Sequence, residues 1–430
     1  MTLFPHIAAQ EKQFMRVLIS AIACNPEQGS EGGVGWKAAN ALARQHQVHV
    51  LTSLANKTDI VSHFNGDLPV NPTFTFFGVD EPYHENRLLA RGQSWLRYLG
   101  WMKEVLPQAK TLAASRTFDV IQHVTFSTVR VASPLWQLGI PFVFGPSGGG
   151  ERTPRITLPA MSPAQRHYET LRNAANALLP LNNRIRQTIR HSSALLASNQ
   201  PTAALFRKLG ANPSAIIHLP VVFFSDEQMT ELAARPKHWG TPGKPLRLFS
   251  SGMLEGRKGL SIALHAVAKA RGLGIDIEFT IPSRGPEFSH LKSLAERLGL
   301  SGVVSFPDSL PREKFWNTLM NSDIYMMPSL RDNCPATLLE AMLCRCVPFV
   351  VNCNGPGEMV PDNAGIKVEP GAPESMAEFF AAELVRLAGN RSALRQLAEA
   401  AAAHVQASFT ESRYVQTVTT AYNQATGRNI

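Results

Sequence analysis

A chain of 430 residues with 44% hydrophobic content is too long for one ordinary core, so two domains of about 200 residues each are expected. No run reaches the roughly 18 apolar residues of a membrane span, and the start, 1–13, lacks the basic-then-apolar order of a secretory signal, so a cytoplasmic protein is expected. The odd count of five cysteines makes neither a disulfide framework nor a compact zinc site, and a formal charge of +9 favours an anionic partner without choosing between nucleotide, lipid phosphate and nucleic acid.

The first half reads as α/β. Val17–Ile22 is a buried strand, followed by a Gly-rich turn at Gly29–Gly35, a helix near Trp36–Arg44 and a second strand at Val48–Leu51. A further strand at Val120–Ile121 ends near His123. Pro141–Phe144 is another strand and runs into the Gly-rich segment Gly145–Gly150. Strand Ala194–Ala197 precedes a helix over Pro201–Leu209. The polar stretch that follows, with Pro236, Gly240, Pro242 and Gly243 near its end, is the expected linker.

The pattern then begins again. Leu246–Ser250 is a strand, Gly252–Gly259 a turn and Leu260–Ala270 an amphipathic helix, followed by strand Ile275–Ile281, helix Phe288–Leu298 and strand Val303–Phe306. Helix Arg312–Met320, strand Ile324–Met327, helix Pro335–Leu343 and strand Pro348–Val351 complete it. Such alternation implies a mostly parallel sheet with helices on both faces.

Two features carry chemistry. Asp332 and Asn333 lie in a loop at the carboxyl end of a strand, where open α/β sheets bind ligands, and Glu340 follows on the next helix. Both carboxylates suit hydroxyl recognition, although capping by Asp332 and simple solvation of Glu340 are equally open from spacing alone. The second feature is Lys258, next to Arg257 at a helix opening, which could neutralise phosphate oxygens. Gly29, Gly32, Gly33 and Gly35 do not have the dinucleotide spacing, and no acid ends the strand at Leu51–Ser53, so a dehydrogenase is disfavoured. An aromatic content of 8% without a continuous basic array gives nucleic-acid binding little support.

The combination of GSEGGVGW after the first strand, GMLEGRKG, PSRGPE, PSLRDNCPATLLEAM and NGPGEMV resembles the retaining nucleotide-sugar glycosyltransferases known as glycosyl transferases group 1. The resemblance covers nearly the whole chain. It implies an α/β fold of two Rossmann-like domains facing a central cleft (GT-B). Residues 1–220 would bind the acceptor, with 406–430 packing back onto them, 221–244 would be the linker, and 245–405 would bind the donor. The donor would be a nucleotide-diphosphate sugar, held by Gly33, Arg257, Lys258, Asp332, Asn333, Cys334 and Glu340. In this reading Lys258 holds the diphosphate, Asp332 the sugar hydroxyls and Glu340 the ribose. His123, Lys258 and Asp332 would serve catalysis, and Gly148, Gly149 and Glu151 the acceptor. No metal or other cofactor is implied.

Three departures stand out. Asp332 replaces the usual glutamate, Met253 the usual arginine of the second-domain turn, and Cys346 the usual glycine. GSEGGVGW with GPSGGGE resembles more narrowly the transferases of bacterial exopolysaccharide and lipopolysaccharide assembly. That likeness implies a saccharide acceptor, polyprenyl-diphosphate-linked or soluble, at the inner face of the cytoplasmic membrane. Arg172, Arg184, Arg186 and Arg190 among Leu178, Leu179, Leu181 and Ile185 form the expected contact with an anionic membrane, with ordinary packing of the apolar members against their own sheet equally open. A non-catalytic nucleotide- or carbohydrate-binding protein of the same fold is the other reading.

Overall fold

The structure, a computed structural model, describes residues 14–78, 87–241, 243–282 and 284–428. The leader-free start expected at 1–13 and Ser283 of PSRGPE lie outside the described residues. The chain builds two sheets. One contains β1 (Arg16–Ala21), β2 (Gln47–Ser53), β3 (Thr73–Phe77), β4 (Val120–Thr125), β5 (Phe142–Ser147), β6 (Ala194–Ala197) and β7 (Ile216–His218), in the order β3-β2-β1-β4-β5-β6-β7. The other contains β8 (Leu246–Phe249), β9 (Ile277–Thr280), β10 (Val304–Ser305), β11 (Ile324–Met327), β12 (Val347–Val351) and β13 (Ile366–Val368), in the order β10-β9-β8-β11-β12-β13. The pairings of the second sheet are all parallel. This is the α/β class the sequence implied.

Parallel strands buried on both faces should be apolar throughout, and the second sheet follows this rule. Leu248, Ile324, Met326 and Phe349 join one core with the helices Leu260–Gly272 and Pro373–Gly389. Their neighbours Phe249, Tyr325, Met327 and Val350 turn to the other face, against Leu338, Leu339 and Met342 of the helix Ala336–Leu343.

Two compact units divide the chain, 1–145 with 187–195 and 418–430, and 146–186 with 196–417. In the first unit the end of the helix Glu411–Thr426 is tied to the sheet by a hydrogen bond from the Tyr422 hydroxyl to Gln122 Oε1. Thr419 Oγ1 meets His46 Nε2 at 2.9 Å, and Arg428 pairs with Asp119 at 3.0 Å.

Three local readings are corrected. The helix expected at Trp36 begins at Ser30, so Gly32, Gly33 and Gly35 lie inside it. They permit close packing: a Cβ at Gly35 would sit 2.2 Å from the Ala23 carbonyl oxygen. The segment read as a linker carries a helix, Asp226–Ala234, closed by a capping box between Ser225 and Gln228. In the expected membrane contact, Ile185 is 2% exposed, and the Arg172 side chain, 10% exposed, faces Glu151.

Candidate functional site

Three loops of the second unit converge at the carboxyl ends of β8 and β11. The Leu330 N–H donates to the Arg257 carbonyl at 2.8 Å, lacing the loop after β11 to the turn after β8. Gly259 makes this approach feasible, because it has φ 65° and a Cβ there would lie 2.1 Å from the Pro328 carbonyl oxygen. From the loop after β12, the Gly355 N–H donates to the Asp332 carbonyl at 3.1 Å, and a Cβ at Gly355 would be 1.5 Å from the Asn333 carbonyl oxygen.

These backbone contacts bring the expected charges together. Lys258 Nζ lies 2.5 Å from Asp332 Oδ2, and Arg257 Nη1 lies 3.3 Å from the same oxygen. The Ser329 hydroxyl donates to it as well, at 3.3 Å. Burial alone would raise the Asp332 carboxyl, but Lys258 and Arg257 outweigh it and hold the group down at about 2. Arg257 is itself steadied by Glu255, Nε to Oε2 at 2.6 Å. The arrangement is a fixed anion beside two cations at a strand outlet. It can engage hydroxyls on one side and phosphate oxygens on the other.

The flanks of Asp332 are clamped. Arg331 makes a two-pronged pair with the buried Glu169, at 2.7 and 2.6 Å, and the Thr153 hydroxyl donates to Glu169 at 2.7 Å. Burial would raise the Glu169 carboxyl, yet Arg331 keeps it below the usual carboxylate range. On the other flank, Asn333 Oδ1 accepts from Ser198 Oγ and, at 2.7 Å, from Asn199 Nδ2. Asn199 also donates to Glu151 at 2.7 Å, and Glu151 accepts the Gly149 N–H at 3.0 Å. A Cβ on Gly148 would meet the Asn333 amide at 2.4 Å. Gly148, Gly149 and Glu151 are therefore hydrogen-bonded to, or packed on, the residues beside Asp332.

Glu340 lies half-buried on the helix Ala336–Leu343. That helix is oriented by the Tyr325 hydroxyl, which donates to Thr337 at 2.9 Å and meets Ser251 at 2.8 Å. Cys334 stands at the helix entry with its thiol pushed up to about 12 by burial, hence neutral at physiological pH. None of the five cysteines is disulfide-bonded. Among the described residues, no three His, Cys, Asp or Glu side chains gather as metal ligands.

His123 and Gly33 belong to the first unit. The expectation that His123 stands at a strand outlet is not met. It lies inside β4, 1% exposed, with Nδ1 3.1 Å from the Ser20 hydroxyl and Nε2 3.0 Å from the Tyr98 hydroxyl. Burial lowers its pKa to about 4, so the ring is neutral. Gly33 sits near the start of its helix, where a Cβ would be 2.6 Å from the Gln28 carbonyl oxygen.

Glu169, Arg331, Ser198 and Asn199 were not singled out from the sequence. Arg331 stands within the quoted PSLRDNCP, and Glu169 is the sole carboxylate between Arg152 and Ser225. That isolation was the available signal.

The fold is shared with known enzymes. The catalytic domain of starch synthase IV from Arabidopsis thaliana, solved with ADP and acarbose, superposes with a TM-score of 0.65 at 14% identity, over 97% of this chain and 100% of that one. The fold is GT-B. Residues 233–404 match the family model Glycosyl transferases group 1. The amylovoran biosynthesis glycosyltransferase AmsK of Erwinia amylovora is 28% identical over 174 residues, 39% of this chain and 42% of the relative. The alpha-D-kanosaminyltransferase of Streptomyces kanamyceticus is 26% identical over 233 residues, 52% of this chain and 54% of the relative. The chain spans about half the length of the curated relatives it matches.

Proposed function

We propose that the chain is a retaining glycosyltransferase that moves a hexosyl group from a nucleotide-diphosphate sugar to a saccharide acceptor, lipid-linked, in exopolysaccharide or lipopolysaccharide assembly. The observation that carries this reading is the contact of Lys258 and Arg257 with Asp332, at 2.5 and 3.3 Å, at a strand outlet of the family segment. Residues 245–405 hold the donor, 221–244 link, and 1–220 with 406–430 take the acceptor. Supporting this division, every strand of one sheet falls within 16–218 and every strand of the other within 246–368.

In this reading, breaking the bond from the anomeric carbon to the diphosphate leaves negative charge on the departing oxygen, which Lys258 and Arg257 meet. Asp332, kept ionised at about 2, accepts from sugar hydroxyls and faces the positive character that develops on the ring. Glu340 holds the ribose, Asn333 and Cys334 line the donor, and Gly148, Gly149 and Glu151 face the acceptor. Attack and departure share one sugar face, so no protein nucleophile is invoked. The two cations supply the charge that a metal would, and the reaction is metal-independent. His123, enclosed within its own unit, acts at most as a positioning residue.

The reaction would run in the cytoplasm, at the inner membrane face. Contact with the membrane would be peripheral; among the described residues no helix is long and apolar enough to cross one. The test is incubation with a panel of nucleotide sugars and with polyprenyl-diphosphate-linked or soluble saccharides, reading product mass. Sugar addition supports the proposal. Nucleotide binding without transfer to any acceptor would favour a non-catalytic binding protein instead.

A further inference from the structure

The helix Pro163–Leu178 is inside out. A helix on a soluble surface normally turns its apolar stripe inward. Here the residues on one face, Gln165, Glu169, Arg172 and Asn176, are polar and point at the site loops. Gln165 accepts the Gly256 N–H at 3.2 Å, and Glu169 pairs with Arg331 at 2.6 Å. Arg172 donates to the Glu151 carbonyl at 3.0 Å, and Asn176 to the Gly149 carbonyl at 3.0 Å. The stripe beside it, about a third of a turn round the helix and at the same spacing, is Ala164, Tyr168, Leu171, Ala175 and Leu178. It is exposed: Tyr168 is 53%, Leu171 57% and Leu178 60% accessible, and Leu181 just beyond is 77%.

Charge selects what covers this stripe. Between residues 146 and 186 the carboxylates are Glu151 and Glu169, and both are buried. The exposed charged side chains of that segment, Arg152, Arg155, Arg166 and Arg184, are all cationic. An apolar ridge of Tyr and Leu in a segment whose exposed charges are all cationic matches the boundary of an anionic bilayer, where headgroup phosphates meet the cations and acyl chains take the ridge. A stable protein interface uses about 20–30 residues a side, far more than this stripe offers.

We infer that the outward face of Pro163–Leu178 is a docking surface for an anionic lipid bilayer. It deepens the membrane contact read from sequence by keeping Leu178, Leu181 and Arg184, adding Tyr168, Leu171, Arg155 and Arg166, and dropping Arg172 and Ile185, which are withdrawn from solvent. The consequence for catalysis rests on the glycosyltransferase reading. With the neighbouring face bonded to the loops of Gly149, Glu151, Gly256 and Arg331, a bilayer on the stripe would lie within about one helix diameter, ~10 Å, of the site. A lipid-linked acceptor could then reach it without leaving the membrane.

The full chain is tested by co-sedimentation with vesicles of phosphatidylglycerol and phosphatidylcholine, and of phosphatidylcholine alone, at moderate salt. The comparison is with the variant Tyr168→Ser/Leu171→Ser/Leu178→Ser and with Arg155→Glu/Arg166→Glu. Wild type should bind the mixed vesicles and prefer them over phosphatidylcholine. The triple variant should lose about tenfold or more in partitioning, and the charge-reversal variant should lose the preference for the anionic lipid. The triple variant should keep its thermal midpoint and its nucleoside-diphosphate affinity by calorimetry, since none of its changes touches a site loop. Wild-type protein that ignores the mixed vesicles, or a triple variant that binds them equally, overturns the inference. So does a wild-type dimer, seen by light scattering, that the triple variant abolishes, because the stripe would then be a protein interface. Failure of the vesicle test leaves nucleotide-sugar binding untouched, so the two readings fall separately.

Discussion

The ammonium assigned to a diphosphate already has an anion. Lys258 and Asp332 lie 2.5 Å apart with Arg257 behind them, so a donor diphosphate must share these cations with Asp332. Asp332→Asn should therefore leave binding of a bare nucleoside diphosphate intact or tighter, while weakening the sugar-bearing donor. Glu340→Gln should weaken both ligands alike, by about 1.5–3 kcal/mol, the range of a hydrogen bond to a charged group. Calorimetry on the two ligands separates the roles, and equal losses for Asp332→Asn would remove Asp332 from the sugar end. A pH signature follows too. The Asp332 carboxyl sits at about 2 in the folded protein, below the roughly 3.9 of an unfolded aspartate. Its pairing therefore stabilises the fold above about pH 4 and is lost as pH falls toward 2, worth about 2 kcal/mol in all. Denaturation of Asp332→Asn should show a shallower acid decline across that window. An unchanged slope would contradict the pairing.

At the level of elements, the loop after β11 is held by close backbone approach and by ion pairs, among them Arg331 with the buried Glu169. Gly259→Ala puts a side chain at φ 65° and a Cβ 2.1 Å from the Pro328 carbonyl oxygen, so it should destabilise by about 1–3 kcal/mol or more and loosen donor binding. Glu169→Ala strands Arg331 in a site where its side chain is 12% exposed, at a cost of about 3–5 kcal/mol. Urea denaturation reads both, and wild-type stability in either would refute the clamp. The sequence showed β11, the helix Ala336–Leu343 and Asp332 between them, because an apolar run, a proline and a helical stripe mark their own bounds. It hid elements whose signals conflict. Gly92, Gly100 and Pro107 interrupt the helical pattern of Arg87–Ser115, and three glycines make the start of Ser30–Ala43 look like a turn. The strand β3 has mostly half-buried side chains at a sheet edge. Pro163–Leu178 escaped because its buried face is polar. The Glu169–Arg331 clamp was illegible for a related reason: 162 residues separate its partners, and only the fold brings them together.

On the scale of the whole molecule, each sheet carries its own strand outlets, and the charged residues beside Asp332 all come from the second compact unit. The first unit includes 418–430, where the Tyr422 hydroxyl reaches Gln122 in the middle of β4. Tyr422→Phe leaves a buried acceptor without its donor and should lower stability by about 1–3 kcal/mol in denaturant melts, without altering nucleoside-diphosphate affinity. A loss of affinity there would mean that the two units are not separable in function. Everything proposed for the donor rests on Lys258 holding the diphosphate of a nucleotide sugar. Calorimetric titration of wild type and Lys258→Met with a panel of nucleoside diphosphates and their sugars tests it most directly. Wild type should bind at least one of these pairs, and Lys258→Met, still folded, should lose about 2–5 kcal/mol of that affinity. Equal affinity in the two proteins, or no binding of any nucleotide by wild type, would contradict it.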